Sequence, residues 1–451
     1  MRLIIATGIY PPDIGGPATY SKKIAEEFSK RGLDVKVLTY ADSIFSNRDI
    51  FARGKIPPTP PLEKGGDLKV IQVPRSHNIF ARYFLYTRKL CKLAKTADLI
   101  YAQGTVSEGL PAYLASKLTG KGYVLKIVGD PSWERMGGAI VPVSRYEKQG
   151  CGTVYASGRK QIGCHSPNPP VVGFGTMTPS KRFLDLDEFQ GIKNLPVKTK
   201  MLRWVERLVA KNAKKIITPS EYLRKIVMGW GVEEEKIKVI YNAVDTVESA
   251  DSMLNTPLAP LKGGDKEDII LSAGRLVPWK GFDLLIDIMP ELLKVNANFK
   301  LVIVGDGPEN ERLLNRRDEA LPRLYSEDKI ILTGKLEHEE LLDLMRTAKM
   351  FILNSGYEGL SHAVIEAMQI GIPCAISNKG GNPELVENNR TGLLFEYNNR
   401  REIVDAIIKL WQDESLRERV VSGGYEKIKG FSFERMVGET MEILEIKKLR
   451  N

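Results

Sequence analysis

The chain has little cysteine: four in 451 residues, at Cys91, Cys151, Cys164 and Cys374. No two of them have the short paired spacing of a zinc or redox motif, so Cys151 with Cys164-His165 makes no metal site, and reduced thiols in a cytoplasmic protein are the expectation. No apolar run reaches the roughly 18 residues that a membrane-spanning helix needs. Met1 to Ile9 reads as the start of a strand: its apolar part is too short for a secretion signal, and no small-residue cleavage site follows. Nucleic-acid-binding motifs are also missing, and the aromatics are not set as stacking platforms, so no nucleic acid is expected as a partner.

What is present suits a large α/β protein. The chain is 43% hydrophobic and too long for one ordinary domain. Its charge is uneven. Through Asp245 there are 39 Lys and Arg against 22 Asp and Glu, a net +17; the remainder carries −7, leaving the whole at +10. A basic half joined to an acidic half points to an anionic membrane surface as a possible partner. Ser76 to Lys95 could concentrate that effect. Ile79, Tyr83, Tyr86, Leu90 and Leu93 fall at helical spacing, flanked by Arg82, Arg88, Lys89, Lys92 and Lys95, the make-up of an interfacial helix. The competing reading is an ordinary helix packed on its sheet with solvated cations.

Short apolar runs alternate with helical patterns along the chain. Strands are predicted at Leu3 to Thr7, Leu33 to Thr39, Asp98 to Ala102, Val124 to Val128, Lys214 to Thr218 and Ile237 to Tyr241. Six more are predicted near 269–273, 300–304, 329–332, 350–353, 373–376 and 393–395. A helix opening at Gly15-Gly16-Pro17 and running to about Arg31 completes a parallel doubly wound pattern. Three stretches break it. Pro57 to Asp67 and Leu258 to Asp265 read as flexible insertions, and roughly Gly137 to Lys181 has no assignable fold.

The chemistry-bearing residues lie at strand-to-helix turns. Arg275 and Lys280 follow the strand at 269–273, and a planar donor fork beside a point charge suits a diphosphate. Glu358 and Glu366, with seven residues between them, bracket a glycine turn and an opening helix from Ser361 to Gln369. Backbone N–H groups there face an anion, and a carboxylate can accept hydrogen bonds from the vicinal hydroxyls of a ribose. Taken singly, each of these charges is more simply a solvated surface group.

The ordered set Gly274-Arg275…Lys280-Gly281, Val304-Gly-Asp-Gly-Pro308 and Glu358-x7-Glu366, with Tyr10-Pro-Pro-Asp-Ile-Gly-Gly-Pro-Ala-Thr-Tyr20 upstream, resembles the group 1 (family four) glycosyltransferases. The resemblance covers most of the chain. It implies the GT-B fold, an α/β architecture of two Rossmann-like doubly wound parallel-sheet domains facing a central cleft. Residues 1–245 would hold the acceptor, 246–268 would form the linker and 269–431 would hold the nucleotide sugar. The helix in 432–451 would return to the first domain.

The resemblance also implies roles. Arg275 and Lys280 would bind and stabilise the departing diphosphate, Glu366 the ribose hydroxyls, and Glu358 would approach the transferred sugar. Gly359, Leu360 and Ser361 would offer backbone N–H groups. Gly16 would allow a close backbone approach, and Lys335 in Gly334-Lys335-Leu336 would reach the base.

One departure stands out. Many relatives carry a histidine where this chain has Gly129, in Lys126-Ile-Val-Gly-Asp130-Pro-Ser-Trp-Glu134. Asp130 therefore becomes the acceptor-side catalytic candidate, against its alternative as a turn-forming residue. The later half carries no Asp-X-Asp sequence, and neither metal nor cofactor is expected. The expected activity is a retaining transfer of a hexose from a nucleotide diphosphate sugar to a glycan or lipid-linked acceptor. The protein is expected in the cytoplasm, with a peripheral place on the inner membrane face as the further expectation. A sugar-nucleotide isomerase of the UDP-N-acetylglucosamine 2-epimerase type and a non-catalytic nucleotide-sugar-binding scaffold stay open.

Overall fold

The computed structural model describes residues 1–11, 13, 16–42, 68–136, 140–142, 181–183, 185–243, 268–320 and 327–446. The insertion at 57–67, most of 137–181, nearly all of 246–268, Gly15, Cys151 and Cys164 lie outside them.

Two parallel sheets organise the chain. The first holds β1 (Arg2–Thr7), β2 (Asp34–Ala41), β3 (Lys69–Pro74), β4 (Leu99–Gln103), β5 (Tyr123–Lys126), β8 (Lys215–Thr218) and β9 (Ile237–Val239), in the order β3-β2-β1-β4-β5-β8-β9. The short strands β6 (Ile140–Pro142) and β7 (Lys181–Phe183) form a separate antiparallel pair. The second sheet holds β10 (Asp268–Ala273), β11 (Phe299–Val304), β12 (Ile330–Gly334), β13 (Met350–Leu353), β14 (Cys374–Ser377) and β15 (Leu393–Phe395), in the order β12-β11-β10-β13-β14-β15. The runs Leu3-Ile-Ile-Ala6 and Met350-Phe-Ile-Leu353 are buried throughout. Helices cover both faces of such strands, so near-continuous apolar sequence is what a parallel sheet requires. Strand order reverses between β1 and β4 in the first sheet and between β10 and β13 in the second. Each reversal opens a crevice at the strands' carboxyl ends.

The predicted strands fall close to the observed ones; β6 and β7, at the ends of the stretch left without an assigned fold, were not predicted, and there are two further differences. β3 was not predicted: Lys69–Pro74 is a half-buried edge strand, so its apolar pattern is diluted. The segment expected as a helix from Gly15 begins at Gly16 and ends at Lys30.

The last helix, Phe433–Ile443, packs on the first sheet. Met436, Val437, Met441, Leu444 and Ile446 join one cluster with Leu3, Ile5, Ile24, Phe28, Val35 and Val37. Arg31 adds an ion pair with Glu434 at 2.6 Å. Both ends of the described chain thus belong to the first half.

Helix Ile79–Ala94 splits its apolar residues. Tyr86, Leu90 and Ala94 are buried against the sheet, whereas Ile79, Phe80 and Phe84 are exposed, Phe80 to 84%. Among the described residues, no helix is long and apolar enough to cross a membrane.

Candidate active site

The loop after β10 builds one wall of the second crevice. Gly281 has φ +56°, and an added Cβ there would meet the Asn354 carbonyl oxygen at 2.6 Å. A glycine is required for both reasons. The close approach lets neighbouring loops stitch together: Asn354 Nδ2 donates to the Gly281 carbonyl at 3.0 Å, and the Gly356 N–H donates to the Trp279 carbonyl at 2.7 Å. The result brings Lys280 onto Glu358, and Nζ and Oε1 form an ion pair with each side chain only about one-eighth exposed. Gly380 and Gly381 hold the other side of Glu358, whose carbonyl accepts the Gly381 N–H at 2.8 Å. Arg275, on the same loop as Lys280, is exposed to solvent.

Helix His362–Ile370 starts just beyond, with Ser361 Oγ accepting the Val364 N–H at 3.4 Å as its cap. Its N-terminus faces that of helix Gly16–Lys30, for a Cβ on Gly16 would lie 3.9 Å from His362 Cδ2. Two positive helix ends and nearby Lys23 and Lys126 make this an electropositive place. Burial first, then Lys126 and Lys23, push the His362 pKa down to about 4, so the imidazole is neutral at pH 7. Lys126 is itself fully enclosed, its Nζ 3.3 Å from the Tyr20 ring centre and 3.3 Å from Asn242 Oδ1; burial lowers its pKa to about 7. Glu366 lies on the same helix, with His338 Nε2 3.9 Å from its carboxylate. Burial raises its pKa to about 7, with Lys23 pulling the other way. A desolvated carboxylate next to cations is poised to accept hydroxyl donors.

The first half closes on this wall through aromatic contacts. Trp133 is fully buried and touches Trp279 and Tyr357, with ring centres 5.2 Å and 5.0 Å apart. Those two residues precede Lys280 and Glu358, so one tryptophan of the first half braces both charged loops of the second. Tyr357 Oη also donates to the Val128 carbonyl at 3.3 Å. Gly359 is required here, because a Cβ on it would come within 2.7 Å of the same carbonyl oxygen. Farther out, the Glu384 carboxylate accepts the N–H groups of Glu221 and Tyr222 at 2.9 and 2.8 Å, capping helix Glu221–Gly229 of the other half.

Asp130 sits differently from the acceptor-side base expected of it. It is buried, and its oxygens are taken by Ser132 Oγ at 2.6 Å, the Trp133 N–H at 3.0 Å and Gln190 Nε2 at 2.8 Å. It caps the short helix Pro131–Glu134, which is the turn-forming alternative. The carboxylate open to the cleft is Glu134, four residues on. Lys335 stands exposed after β12, two strands from β10. Leu360 is buried, so only its backbone remains for a ligand. The chain has one Asp-X-Asp sequence, Asp185-Leu186-Asp187, in the first half, and both carboxylates there are engaged. Asp185 caps helix Leu186–Gly191 and lies 3.5 Å from Lys379, and Asp187 accepts from Tyr222 Oη at 3.3 Å.

The braces Trp133, Trp279, Tyr357 and Glu384, and the open Glu134, were not predicted. The only sequence signal was the placement of each aromatic immediately beside, or within a turn of, a charged candidate.

Comparison with known proteins settles the family. Residues 259–427 match the family model for glycosyl transferases group 1, and residues 163–248 match that for glycosyltransferase family 4. The chain belongs to the group 1 glycosyltransferases. An uncharacterized glycosyltransferase of Methanocaldococcus jannaschii is 28% identical over 55% of this chain and 64% of its own length. The UDP-Gal:alpha-D-GlcNAc-diphosphoundecaprenol alpha-1,3-galactosyltransferase of Escherichia coli is 27% identical over 52% and 62%. The chain thus spans less than two thirds of the length of the curated relatives it matches. The crystal structure of Anabaena HepE with UDP-glucose aligns with a TM-score of 0.66 over 99% of each chain, at 19% identity. That likeness gives this glycosyltransferase the GT-B fold.

Proposed function

We propose that this glycosyltransferase moves a hexose from a nucleotide diphosphate sugar to a glycan or lipid-linked acceptor, with retention of anomeric configuration and without a metal or cofactor. The observation that carries the reading is the Lys280–Glu358 pair in the second crevice, with Arg275 on the same loop as Lys280. Two fixed cations and the N–H groups of 359–361 stabilise the charge that develops on a departing diphosphate, so the protein itself supplies the countercharge. Glu366 accepts the ribose hydroxyls. Glu358 lies against the transferred sugar, its charge balanced by Lys280, and attack proceeds on the face from which the diphosphate leaves, with no covalent enzyme intermediate. UDP is the favoured nucleotide, because the Anabaena relative is solved with UDP-glucose and the E. coli relative is named for a UDP-galactose reaction. The latter's diphosphoundecaprenol acceptor supports a lipid-linked acceptor here. A cytoplasmic enzyme, peripheral on the inner membrane face through the basic first half and the exposed Phe80 and Phe84, fits that acceptor.

The test is diphosphate release from a panel of UDP- and GDP-sugars, with and without glycan and lipid-diphosphate acceptors. Acceptor-dependent release, undiminished by a chelator and giving the donor's anomer in the product, is expected. An altered sugar epimer without release makes the protein an isomerase; binding without either makes it a scaffold. A glycosyl adduct trapped on Glu358 overturns the same-face route. Flotation only with acidic liposomes is expected, and absence of binding to every liposome removes the membrane reading.

A further inference from the structure

Glu134 has no part in the proposed chemistry, yet its carboxylate occupies the space that a side chain on residue 129 would fill. A Cβ built on Gly129 would fall far inside van der Waals contact with Glu134 Oε1, and only 3.5 Å from Tyr357 Oη. The bare glycine is therefore a seat for this carboxylate. The group is open to the cleft, although protein surrounds it on its flanks. The charges that act on it come from both halves: Asp130 and Arg135 on its own side and Arg275 on the facing loop. Burial, reinforced by Asp130 and opposed by Arg275 and Arg135, raises its pKa to about 7.

Charge decides what such a group can meet. Arg275 and Lys280 suit a diphosphate, and an anion at Glu134 repels one, so Glu134 faces the neutral part of the same ligand. The neutral part next to a diphosphate is the sugar, which presents hydroxyl donors to a carboxylate's two oxygens. The Tyr357 and Trp133 rings fix the distance between the Glu358 loop and the Glu134 turn, so the two carboxylates keep a set separation across the cleft.

From these contacts we infer that Glu134, seated by Gly129, accepts hydroxyl hydrogen bonds from the transferred sugar and thereby selects the donor's hexose. The inference rests on the donor-site reading given above, and its test separates the two. Calorimetry compares UDP with UDP-glucose, UDP-galactose and UDP-N-acetylglucosamine on the wild type, Glu134→Gln, Glu134→Ala, Gly129→Ala and Lys280→Ala proteins. The wild type is expected to bind its preferred UDP-sugar more tightly than UDP. Glu134→Ala and Gly129→Ala lose about tenfold of that gain and leave UDP itself unchanged, since a hydrogen bond to a charged group is worth roughly that factor. Glu134→Gln, which keeps one acceptor oxygen, loses part of it. Lys280→Ala weakens UDP and UDP-sugars alike. Glu134→Gln keeps the size and shape of the side chain, so it retains the fold even if Gly129→Ala does not. If Lys280→Ala weakens UDP while the Glu134 variants keep the full sugar gain and the same order of sugars, the inference is wrong and the donor site stands. If UDP does not bind at all, both fall. A wild type that binds UDP-sugars no better than UDP also overturns the inference.

Discussion

The two crevices share a scaffold and differ in charge. Each lies where strand order reverses in a parallel sheet, with loops from the two strands flanking the reversal. In the second, the loops after β10 and β13 offer Arg275 and Lys280 and place Glu358 on Lys280. In the first, the region after β4 carries Glu108, buried, with Gly8 and Gly104 packed against its carboxylate and the Gly8 N–H donating to it at 3.0 Å. Burial raises its pKa to about 7. The second crevice pairs its cations with a carboxylate on the facing loop; the first half adds a desolvated acid, Glu108, to the positive charges of Lys23 and Lys126. The same architecture therefore presents different charged groups at its two reversals, and the loops decide which.

The sharpest way to break this contrast is to remove Lys280. Lys280→Ala is expected to cut donor turnover by at least about 100-fold, the scale of losing a preorganised charge partner. Far-UV spectra and urea unfolding should remain near wild type; turnover within a fewfold of normal would mean that the cations of the second crevice do not serve the phosphate. Next in size is a change that separates the halves by stability. Val437→Ala opens a cavity in the cluster shared by the last helix and the first sheet, at a cost of about 2 kcal/mol. Native-state hydrogen exchange should accelerate in β1 and β2 and leave β10 and β11 as they were. Equal acceleration in both sheets would show the halves unfolding as one unit.

Glu384→Ala removes the cap that reaches from one half to the other. A loss of about 1 kcal/mol is expected in thermal unfolding, together with a larger radius of gyration in solution scattering as the cleft loosens. An unchanged radius would mean that the Trp133 contacts alone hold the halves. The smallest effect has opposite signs in two measurements. Glu366 has a pKa raised to about 7 in the fold, so the native state holds its proton more tightly than the unfolded chain does. Its contribution to stability is therefore complete below about 4.5 and lost as pH rises through 7. On the proposed role of Glu366 toward the ribose hydroxyls, UDP binding should strengthen severalfold over the same interval. Glu366→Gln should flatten both profiles; a binding profile that keeps its slope would assign the titration to another group.

How much of this was legible in the sequence depended on whether a feature was local. Strands β1, β10, β11 and β13 are short apolar runs ended by glycine or polar residues, and burial on both faces leaves no other reading. The placement of Arg275, Lys280, Glu358 and Glu366 at strand-to-helix turns was readable because they occupy set offsets from two strands; of the four, only Lys280 and Glu358 are seen as an ion pair. β3 was not, since an edge strand needs few apolar residues. Asp130 illustrates the harder case. An aspartate before Pro-Ser-Trp can serve as a base or as a cap, and only its three hydrogen-bond partners decide between them. Glu134 was invisible for a related reason: its place in the cleft depends on the missing Cβ of Gly129 and on Tyr357, more than 200 residues away. Contacts between the halves, such as Glu384 with Tyr222, leave no local pattern at all.

The return of the final helix to the first sheet also orders events on the ribosome. The second half is contiguous from Asp268 to Ile428 and can close its own core as soon as that stretch has emerged. The amino-terminal half, though made earlier, waits for Met436, Val437 and Met441 before its last apolar face is covered. Newly made chains therefore carry an exposed apolar patch on their older half until residues 436–446 have emerged, and up to that stage a chaperone has something to hold.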